Sequence, residues 1–544
     1  MKTIVDLFSK HGTLVQKDAL DYILSKEKPE DFATELLKNF KETPLVLTLG
    51  DIKKIETSTI EEPEIQKQSD TNGMEEINTQ QDELTTQLMV DETKNSEENQ
   101  LAATLHFRNI GIGSIKSWKP LAKEYEPEIR IIKDVTGNST CEGETKDFAY
   151  LFQSRYNSLK KIIKKQRREV LNAISVDRIA KNNIRDIQLI GIVKDVRTTV
   201  NGHRLIELED ETGNIMVLIP KDDHRLLQIA NEVVFDEIIG VKGVLSRKGD
   251  IIIAQEIVFP DVSIQHEKHK ADLPLYAAFP ADIHIGSRMF LEEEWNRFIK
   301  WINGELGNNR QREVAGKIKY LVIPGDTVDG IGIYPNQEKE LQIKDVYHQY
   351  EELARQLQRL PDHVSVIIQP GNHDAVRPAE PQPAFEKEIR DLFSGVDITF
   401  VGNPCYLSLN GVEILSYHGQ SLLDFAINIQ NLKYNEPVEI MKTILKKRHL
   451  APIYGGHTPI APEHVDYMII DRIPDVFVTG HVHLSKIGEY RGITLINASS
   501  WQAQTSYQKM LNFVPDPGKL PIFNLKTGKA TTMDFTLKTQ GDIS

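Results

Sequence analysis

Five short motifs in the second half of the chain contain residues that commonly bind metal ions. In chain order they are Asp282 with His284, Asp326, Asn372 with His373 and Asp374, His418, and His481 with His483. Their imidazole nitrogens and their carboxylate and amide oxygens are typical ligands of divalent metal ions. A single Asp-x-His motif is more often the polar end of a buried strand, but five such motifs in series are hard to obtain without a metal. We therefore expect these residues to form a metal centre.

Each motif follows an apolar run that predicts a buried β-strand. LYAAF precedes the first motif, KYLVI the second and HVSVII the third. Helical stretches at 292–304 and 346–360 separate several of the strands, which predicts an α/β arrangement. In such folds the carboxyl ends of neighbouring strands converge, and this brings residues distant in sequence into one site. Gly325, Gly371 and Gly480 would allow tight turns there and bring the backbone close to the metals.

The order of the motifs, D-x-H, G-D, G-N-H-D, H and G-H-x-H, resembles that of the calcineurin-like metallophosphoesterase superfamily. The resemblance implies an α/β domain over residues 266–544, built as a two-sheet sandwich flanked by helices. It also implies two metal ions and a role for each residue. Asp282, His284 and His483 would hold one ion, Asn372, His418 and His481 the other, Asp326 would bridge both, and His373 would be the acid that meets the leaving group.

The chemistry of these residues agrees with those roles. A bridging ligand should have two oxygens and a negative charge, which the carboxylate of Asp326 provides. His373 can act as an acid near neutral pH if a partner holds its ring. We expect Asp374 to be that partner, although a carboxylate that caps the turn is an equally good interpretation. The ligand types suit two divalent ions, with Mn expected for a nuclease and Zn, Fe or Mg as alternatives.

The first half of the chain predicts four further regions. Apolar residues at helical spacing within residues 1–45 predict a small all-α interaction module. Residues 46–104 are acidic, polar and without aromatic residues, which predicts a disordered linker. A helical and irregular connector is expected over 105–184, and short strands with Gly-marked bends over 185–265 predict a barrel of the oligonucleotide-binding (OB) type. The lack of stacking aromatic residues favours a supporting role for that barrel over DNA binding.

The composition limits the class of protein. Among the 544 residues are only two cysteines, Cys141 and Cys405, so neither a disulfide framework nor a cysteine zinc site is expected. No apolar run reaches membrane-spanning length, and the opening MKTIVDLFSKHG lacks the apolar stretch of a signal peptide, so we expect a cytoplasmic protein without membrane contact. A net charge of −14 would usually argue against a nucleic-acid binder, but the charge is unevenly spread.

The stretches around the motifs are more specific than the motifs themselves. GNHDAVRPAEPQP, YHGQSLLDF, YGGHTPIAPEH and the tail that begins SSWQAQTSYQ are similar to those of the small subunits of archaeal family D DNA polymerases. The resemblance implies a 3′–5′ exonuclease that proofreads beside a large catalytic subunit and acts on a single-stranded or mismatched DNA 3′ end. The N-terminal module would bind a sliding clamp, a primase or the polymerase. A non-catalytic scaffold or processivity subunit is the alternative, whereas a free-standing phosphatase would need neither the barrel nor the module.

Some residues have two interpretations each. His457 would orient a ligand or contact DNA, or it would be a structural loop histidine. Asp329 is expected to support a ligand rather than to bind metal itself. Arg377 would contact a phosphate or form a surface salt bridge. Three residues near the C-terminus would lie either at a subunit interface or in the local core: Trp501, Gln502 and Tyr507.

Overall fold

The computed structural model describes residues 118–181, 185–263 and 266–536, together with residues 104–106 and parts of 4–52. The chain divides into two compact units, Met1–Ala103 with Gln504–Pro515, and Thr104–Ala503 with Asp516–Ser544. The predicted linker 46–104 lies almost wholly outside the described residues, as do residues 537–544 of the predicted phosphoesterase domain. No helix within the described ranges is both long enough and apolar enough to cross a membrane.

The first unit contains the N-terminal helices. Strand β1 (Leu14–Val15) pairs in parallel with β2 (Val46–Leu47), and helices α1 (Lys17–Leu24) and α2 (Pro29–Asn39) lie between them in the chain. Proline in the first turn of α2, followed by two acidic residues, is a favourable helix start. Apolar side chains from both helices share one buried cluster. The prediction of an all-α module omitted the short strand pair that flanks the helices.

The segment predicted as a connector contributes to both sheets of the second unit. It contains β3 (Thr104–His106), β4 (Ile129–Lys133), the long helix α3 (Thr145–Gln166) and the short helix α4 (Val176–Lys181). β3 extends a seven-stranded sheet, and β4 forms one edge of a six-stranded sheet. The prediction of a helical and irregular connector omitted these strands, because strands of three and five residues give little periodic signal.

A closed five-stranded barrel follows. Its strands are β5 (Asp186–Thr198), β6 (Arg204–Asp210), β7 (Gly213–Ile219), β8 (Ile238–Leu245) and β9 (Ile251–Val258), with α5 (His224–Ala230) between β7 and β8. The order around the barrel is β5-β6-β7-β9-β8, and β7 and β9 run parallel. Alternate side chains such as Ile187 and Leu189 fill its interior. The barrel predicted within 185–265 is therefore present.

The remaining strands and helices build the region that contains the five motifs. The strands are β10 (Tyr276–Ala278), β11 (Ile318–Pro324), β12 (Ser365–Gln369), β13 (Ile398–Phe400), β14 (Cys405–Leu409), β15 (Val412–Ser416), β16 (Val476–Thr479), β17 (Lys486–Tyr490), β18 (Ile493–Asn497), β19 (Lys519–Asn524) and β20 (Lys529–Asp534). The helices are α6 (Glu292–Ile302), α7 (Asn309–Ala315), α8 (Val346–Leu357), α9 (Lys387–Arg390), α10 (Leu422–Asn428) and α11 (Pro437–Lys447). Helix α12 (Ser506–Met510) comes later in the chain and belongs to the first unit.

Two sheets face each other in this region. One has the order β13-β12-β11-β10-β19-β20-β3, in which β10 to β13 run parallel, and the other has the order β17-β18-β16-β15-β14-β4, in which β15, β16 and β18 run parallel. Inward-facing residues of both sheets, such as Val322 and Ile414, share one buried cluster. Alternate residues of the first sheet, such as Leu321, instead contact a cluster that includes Trp295 of α6 and Leu353 of α8. The predicted mixed α/β architecture is confirmed.

Buried charges tie the barrel region and α3 to this sandwich. The Nζ atom of Lys447 lies 2.9 Å from both carboxylate oxygens of Glu237, which precedes β8. Nε of Arg155, in α3, lies 2.8 Å from Oδ2 of Asp466. All four side chains are at most 1% exposed. Removing one member of such a pair leaves the other charge buried and uncompensated, so the first pair holds the barrel region and the second holds α3 against the sandwich.

Candidate metal centre

All seven predicted metal ligands lie in loops that follow strands of the two sheets. Asp282 and His284 follow β10, Asp326 follows β11, Asn372 follows β12, His418 follows β15, and His481 and His483 follow β16. Because these strands are parallel within each sheet, their carboxyl ends meet at the same edge of the sandwich. The structure therefore brings together residues that are up to 201 positions apart in the chain.

One group of ligand atoms comes from the first and last motifs. Nε2 of His284 lies 3.1 Å from Nε2 of His483, and Nε2 of His483 lies 3.5 Å from Oδ1 of Asp282. The three side chains are buried, and each offers one ligand atom close to the other two. They form the set that the superfamily resemblance implies for one ion.

A second group surrounds His418. Its Nε2 atom lies 2.9 Å from Oδ1 of Asn372 and 3.2 Å from Nδ1 of His481. Oδ2 of Asp326 lies 3.3 Å from the same nitrogen and 3.9 Å from Nε2 of His284. Asp326 is thus placed between the two groups, where a bridging carboxylate would have to be.

Polar contacts behind the site hold two imidazoles. Nδ1 of His418 lies 3.0 Å from the carbonyl oxygen of Pro324, which can only accept, so Nδ1 carries the proton and the lone pair of Nε2 faces the site. Nδ1 of His284 lies 3.1 Å from Oδ1 of Asp329, which in turn accepts a hydrogen bond from Gln502. Asp329 therefore contacts the predicted ligand His284, and Gln502 contacts Asp329, which is the arrangement that the predicted supporting role requires.

The donor set has the chemistry of a cation site. The Nε2 lone pair of His418 faces oxygens of Asn372 and Asp326 that are themselves acceptors, so a positive charge is needed between them. Burial alone would lower the pKa of His418, but the carboxylates of Asp326 and Asp282 raise it to about 10. Burial would likewise raise the pKa of Asp326, yet the imidazoles of His418 and His373 hold it well below its ordinary value. The surrounding groups thus stabilise positive charge at this point, as a cation site requires.

His481 and His284 favour the neutral form of the ring, which can donate a lone pair. Burial, followed by the neighbouring His418, lowers the pKa of His481 to about 3. Burial also lowers the pKa of His284. Neutral imidazole is the form that binds metal, so these rings need not lose a proton to do so.

Five of the seven residues adopt a left-handed backbone conformation. The φ angles are 50° at Asp282, 53° at His284, 49° at Asp326, 67° at His481 and 56° at His483. Residues other than glycine rarely adopt such angles, although Asp, Asn and His do so more readily than most. Backbone strain of this kind is concentrated at functional sites, where the surrounding structure enforces it. It turns each side chain back towards the common point at the edge of the sheets.

Two glycines allow the backbone to approach the carboxylates. A Cβ atom at Gly371 would lie 2.2 Å from Oδ1 of Asp326, and one at Gly480 would lie 2.5 Å from Oδ2 of Asp282. The backbone N–H of His373 donates to Asp326 over 2.9 Å, and that of His481 donates to Asp282 over 2.9 Å. The backbone therefore approaches the Asp326 and Asp282 carboxylates closely at these two glycines, and the predicted approach to metal ions stays a prediction.

His373 borders the site on its open side. Its Nδ1 atom lies 2.8 Å from the carbonyl oxygen of Asp329, which fixes the proton on that nitrogen, and its Nε2 atom lies 3.9 Å from Oδ2 of Asp326. Asn372, His373 and His481 are each partly exposed, whereas the other five ligand residues are buried. The ring that is predicted to be the acid therefore stands where a substrate would enter.

The predicted pairing of Asp374 with the His373 ring is wrong. The carboxylate of Asp374 accepts hydrogen bonds from Thr327, from the hydroxyl of Tyr350 and from the N–H of Gly371. Burial, and then the charge of Asp326, raise the pKa of Asp374 to about 6. Asp374 thus corresponds to the alternative interpretation, a carboxylate that holds the turn, because the backbone of Asp329 already occupies Nδ1 of His373.

The other residues with two interpretations have structural contacts. Arg377 pairs with Glu463 at 2.6 Å and donates to the carbonyl oxygen of Pro381, so its guanidinium is engaged within the protein. His457 is exposed, and its backbone N–H donates to Asp424. Trp501 is fully buried and packs in the core with Trp295 and Phe298. Tyr507, in α12, is 40% exposed.

A buried amide pair that the sequence analysis missed joins two of the ligand loops. Oδ1 of Asn403 accepts from the N–H of His418 at 2.9 Å, and Nδ2 of Asn403 donates to Oε1 of Gln382 at 2.8 Å. Nε2 of Gln382 donates in turn to the carbonyl oxygen of Gly371. Gln382 lies in the stretch GNHDAVRPAEPQP and Asn403 lies outside the quoted stretches, and only the folded structure shows that both face the same loops.

Comparisons with known proteins match the region that contains this site. The family model for the B subunit of DNA polymerase alpha/epsilon matches residues 283–488. The DNA polymerase II small subunit of Archaeoglobus fulgidus is 44% identical over 397 residues, which are 73% of this chain and 78% of that protein. The small subunits of Methanothermobacter thermautotrophicus and Pyrococcus abyssi are 43% and 37% identical, over 75% and 77% of this chain and 84% and 70% of those proteins. The chain therefore belongs to the family of archaeal DNA polymerase II small subunits.

Proposed function

We propose that this chain is a two-metal 3′–5′ exonuclease that hydrolyses the 3′-terminal phosphodiester of DNA as the small subunit of a heteromeric DNA polymerase. The observation that carries the proposal is the complete donor set at one edge of the sandwich. One group contains Asp282, His284 and His483, and a second contains Asp326, His418 and His481. The same strand-end arrangement supports assigning the sandwich to the calcineurin-like metallophosphoesterases.

Each group would hold one divalent ion. Asp282, His284 and His483 would bind the first, Asn372, His418 and His481 the second, and Asp326 would contact both. When bound, the ions would supply an activated water and positive charge to offset the charge that develops on the phosphodiester. The mixture of nitrogen and oxygen donors suits Mn, with Zn, Fe or Mg as the alternatives that a metal analysis would separate.

His373 would deliver the proton that the leaving group needs. The carbonyl oxygen of Asp329 holds Nδ1, so Nε2 is directed at the site and can donate to the departing 3′ oxygen when the ring is protonated. Its partial exposure leaves room for the nucleoside that carries that oxygen. The strained, hydrogen-bonded ligand loops behind it would keep the ligands fixed while the substrate binds.

The relatives suggest the partners. They are named small subunits, so we propose that a large catalytic subunit of the same polymerase binds this chain. The substrate would be a single-stranded or mismatched DNA 3′ end, and the N-terminal module is proposed to bind a sliding clamp or a primase. A partner that supplies most of the cationic DNA path would explain how a chain of net charge −14 acts on DNA.

A non-catalytic scaffold is the second candidate. The matching family model describes a subunit of the alpha and epsilon polymerases, and a scaffold would equally accompany a large subunit. The intact donor set favours the exonuclease, because a scaffold does not need buried imidazoles and carboxylates whose lone pairs face one another.

Exonuclease assays on the full chain with its large subunit test the proposal. With Mn²⁺ and a 5′-labelled strand, the protein should release single nucleotides from the 3′ end, and His373→Ala should slow the release by about 100-fold or more, as expected for loss of a general acid. His348→Ala is the matched control, since that histidine in α8 is 67% exposed and lies outside the ligand set. Equal rates for His373→Ala and the parent would refute the assigned role, and a metal-loaded complex without any hydrolysis would favour the scaffold.

A further inference from the structure

An apolar loop lies directly beside His373. It follows β11, and it exposes Ile331 and Ile333 by 48% and 38%. The ring centroid of Tyr334 lies 6.4 Å from that of His373. A Cβ atom at Gly330 would lie 2.2 Å from the carbonyl oxygen of His373, so the loop packs against the turn that carries the proposed acid.

Two buried glutamines hold this loop in one conformation. Oε1 of Gln349 accepts from the N–H of Gly330 at 2.9 Å, and Nε2 of Gln349 donates to the carbonyl oxygen of Gly330 at 3.2 Å. Oε1 of Gln337 accepts from the N–H of Ile333 at 2.9 Å, and its Nε2 donates to the carbonyl oxygen of Asp329 at 2.7 Å. Both glutamine side chains are fully buried. The loop therefore has one fixed conformation, in which Ile331 and Ile333 are exposed.

Such a surface beside a phosphodiester site has the chemistry to receive a nucleobase. Every base has an apolar face, and stacking on aromatic or apolar side chains is tolerant of sequence. A base can lie on this surface only if it has left its duplex, which a mismatched or single-stranded end allows at low cost. The surface thus suits the substrate class of the proposed exonuclease.

The position of His373 identifies which base would lie there. In hydrolysis of the last phosphodiester, the bond between phosphorus and the 3′ oxygen of the penultimate nucleotide breaks, and water supplies the new oxygen of the released 5′-monophosphate. The proton goes to that 3′ oxygen, so the nucleoside nearest His373 is the one on the 5′ side of the cut.

We propose that Ile331, Ile333 and Tyr334 form an apolar rim that receives the unpaired base on the 5′ side of the scissile phosphodiester. The proposal rests on the proposed exonuclease function, since that function sets the direction of the substrate. The rim selects unpaired ends without reading sequence.

A binding experiment tests the rim without turnover. The full chain carrying His373→Ala and loaded with Mn²⁺ is titrated with an oligonucleotide that has 2-aminopurine at the penultimate position. Stacking should change its fluorescence, whereas 2-aminopurine placed well upstream should respond less. When Ile331→Ser and Ile333→Ser are added to this His373→Ala parent, the fluorescence change should be lost. The affinity for the oligonucleotide should fall by about fivefold or more.

Two controls make the result specific. Ile131→Ser changes an isoleucine in β4 that is 39% exposed, and it should behave like the parent. An oligonucleotide with an abasic penultimate position should bind the parent and the double serine variant equally, because the base that the rim would contact is absent. The double serine variant should still melt cooperatively, at a somewhat lower temperature, because both isoleucines are partly buried.

Unchanged fluorescence and affinity in the double serine variant would overturn the rim. A parent that binds the 2-aminopurine strand no better than the abasic strand would overturn it as well. Failure of the exonuclease proposal would give a different observation. The chain with intact His373 and bound metal would then release no nucleotides.

Discussion

Replacing Gly371 with alanine would place a methyl group against the Asp326 carboxylate. The new Cβ would lie 2.2 Å from Oδ1 of Asp326 and 2.8 Å from Cε1 of His418, whereas ordinary van der Waals contact begins at 3.4 Å. The new Cβ would also lie 2.5 Å from the backbone nitrogen of Asp326, so the turn itself must move by about 1 Å. A displacement of this size in a reacting group can lower a rate by about 100-fold. The crowding should destabilise the fold by about 1–3 kcal/mol, less than the stability of a typical domain.

Metal content and exonuclease rate together provide the assay for Gly371→Ala. We expect a folded protein with a cooperative thermal transition, a metal content below that of the parent, and nucleotide release slowed by about 100-fold. Gly316→Ala is the matched control, because that glycine ends α7 with an ordinary φ of −68° and its new Cβ would lie 3.2 Å from the nearest atom.

Parent-like metal content and parent-like rate in Gly371→Ala would refute the close approach between this turn and Asp326. Loss of metal content and of exonuclease rate in Gly316→Ala as well would show that an added methyl group is harmful even away from Asp326. Only a difference between the two variants supports the steric argument.

Three further outcomes follow from buried charges. Asp329→Asn should weaken metal binding by about 10–100-fold, because Asp329 orients His284. A metal titration measures this, with Asp345→Asn as the control, and equal affinities of the two variants would contradict it. Lys447→Met should lower the free energy of unfolding by about 3–5 kcal/mol in a urea titration. Adding Glu237→Leu should recover much of that loss, and no recovery would contradict the view that an uncompensated buried charge causes it. Burial would raise the pKa of Glu463, but bonds from Ser139, Thr140 and Arg377 lower it from 4.5 to about 2, so its stabilisation is complete above pH 4.5 and is lost as pH falls towards 2. Glu463→Gln should flatten that part of the pH dependence of unfolding, and an unchanged slope would count against it.

The sequence was sufficient to predict which side chains meet at one edge of the sandwich. Asp282, Asp326 and His418 each come directly after a run of buried strand residues, and parallel strands end at the same edge. The glycine at 371 was equally informative, since glycine is what allows a backbone to approach a carboxylate so closely. These predictions used only residue type and position in the chain, and they required no knowledge of side-chain rotamers.

The partner of His373 could not be predicted in the same way. Asp374 is its neighbour in the chain, but the turn directs that carboxylate towards Thr327 and Tyr350, and a backbone carbonyl oxygen takes its place. A backbone acceptor has no residue type that a sequence could reveal. The edge strand β4 was missed for a related reason, because it gains its hydrogen bonds from β14, more than 250 residues further along the chain.

The left-handed ligands carry a consequence for how this family can change over time. Each non-glycine residue in such a conformation costs on the order of 1 kcal/mol or more, so five of them together approach the net stability of a small domain. The rest of the sandwich must supply that free energy. If the proposed metal centre is what maintains these residues, a relative without that centre would gain stability by exchanging them for glycine. Glycine at positions 282, 284, 326, 481 or 483 in a relative would therefore indicate a chain without the proposed centre.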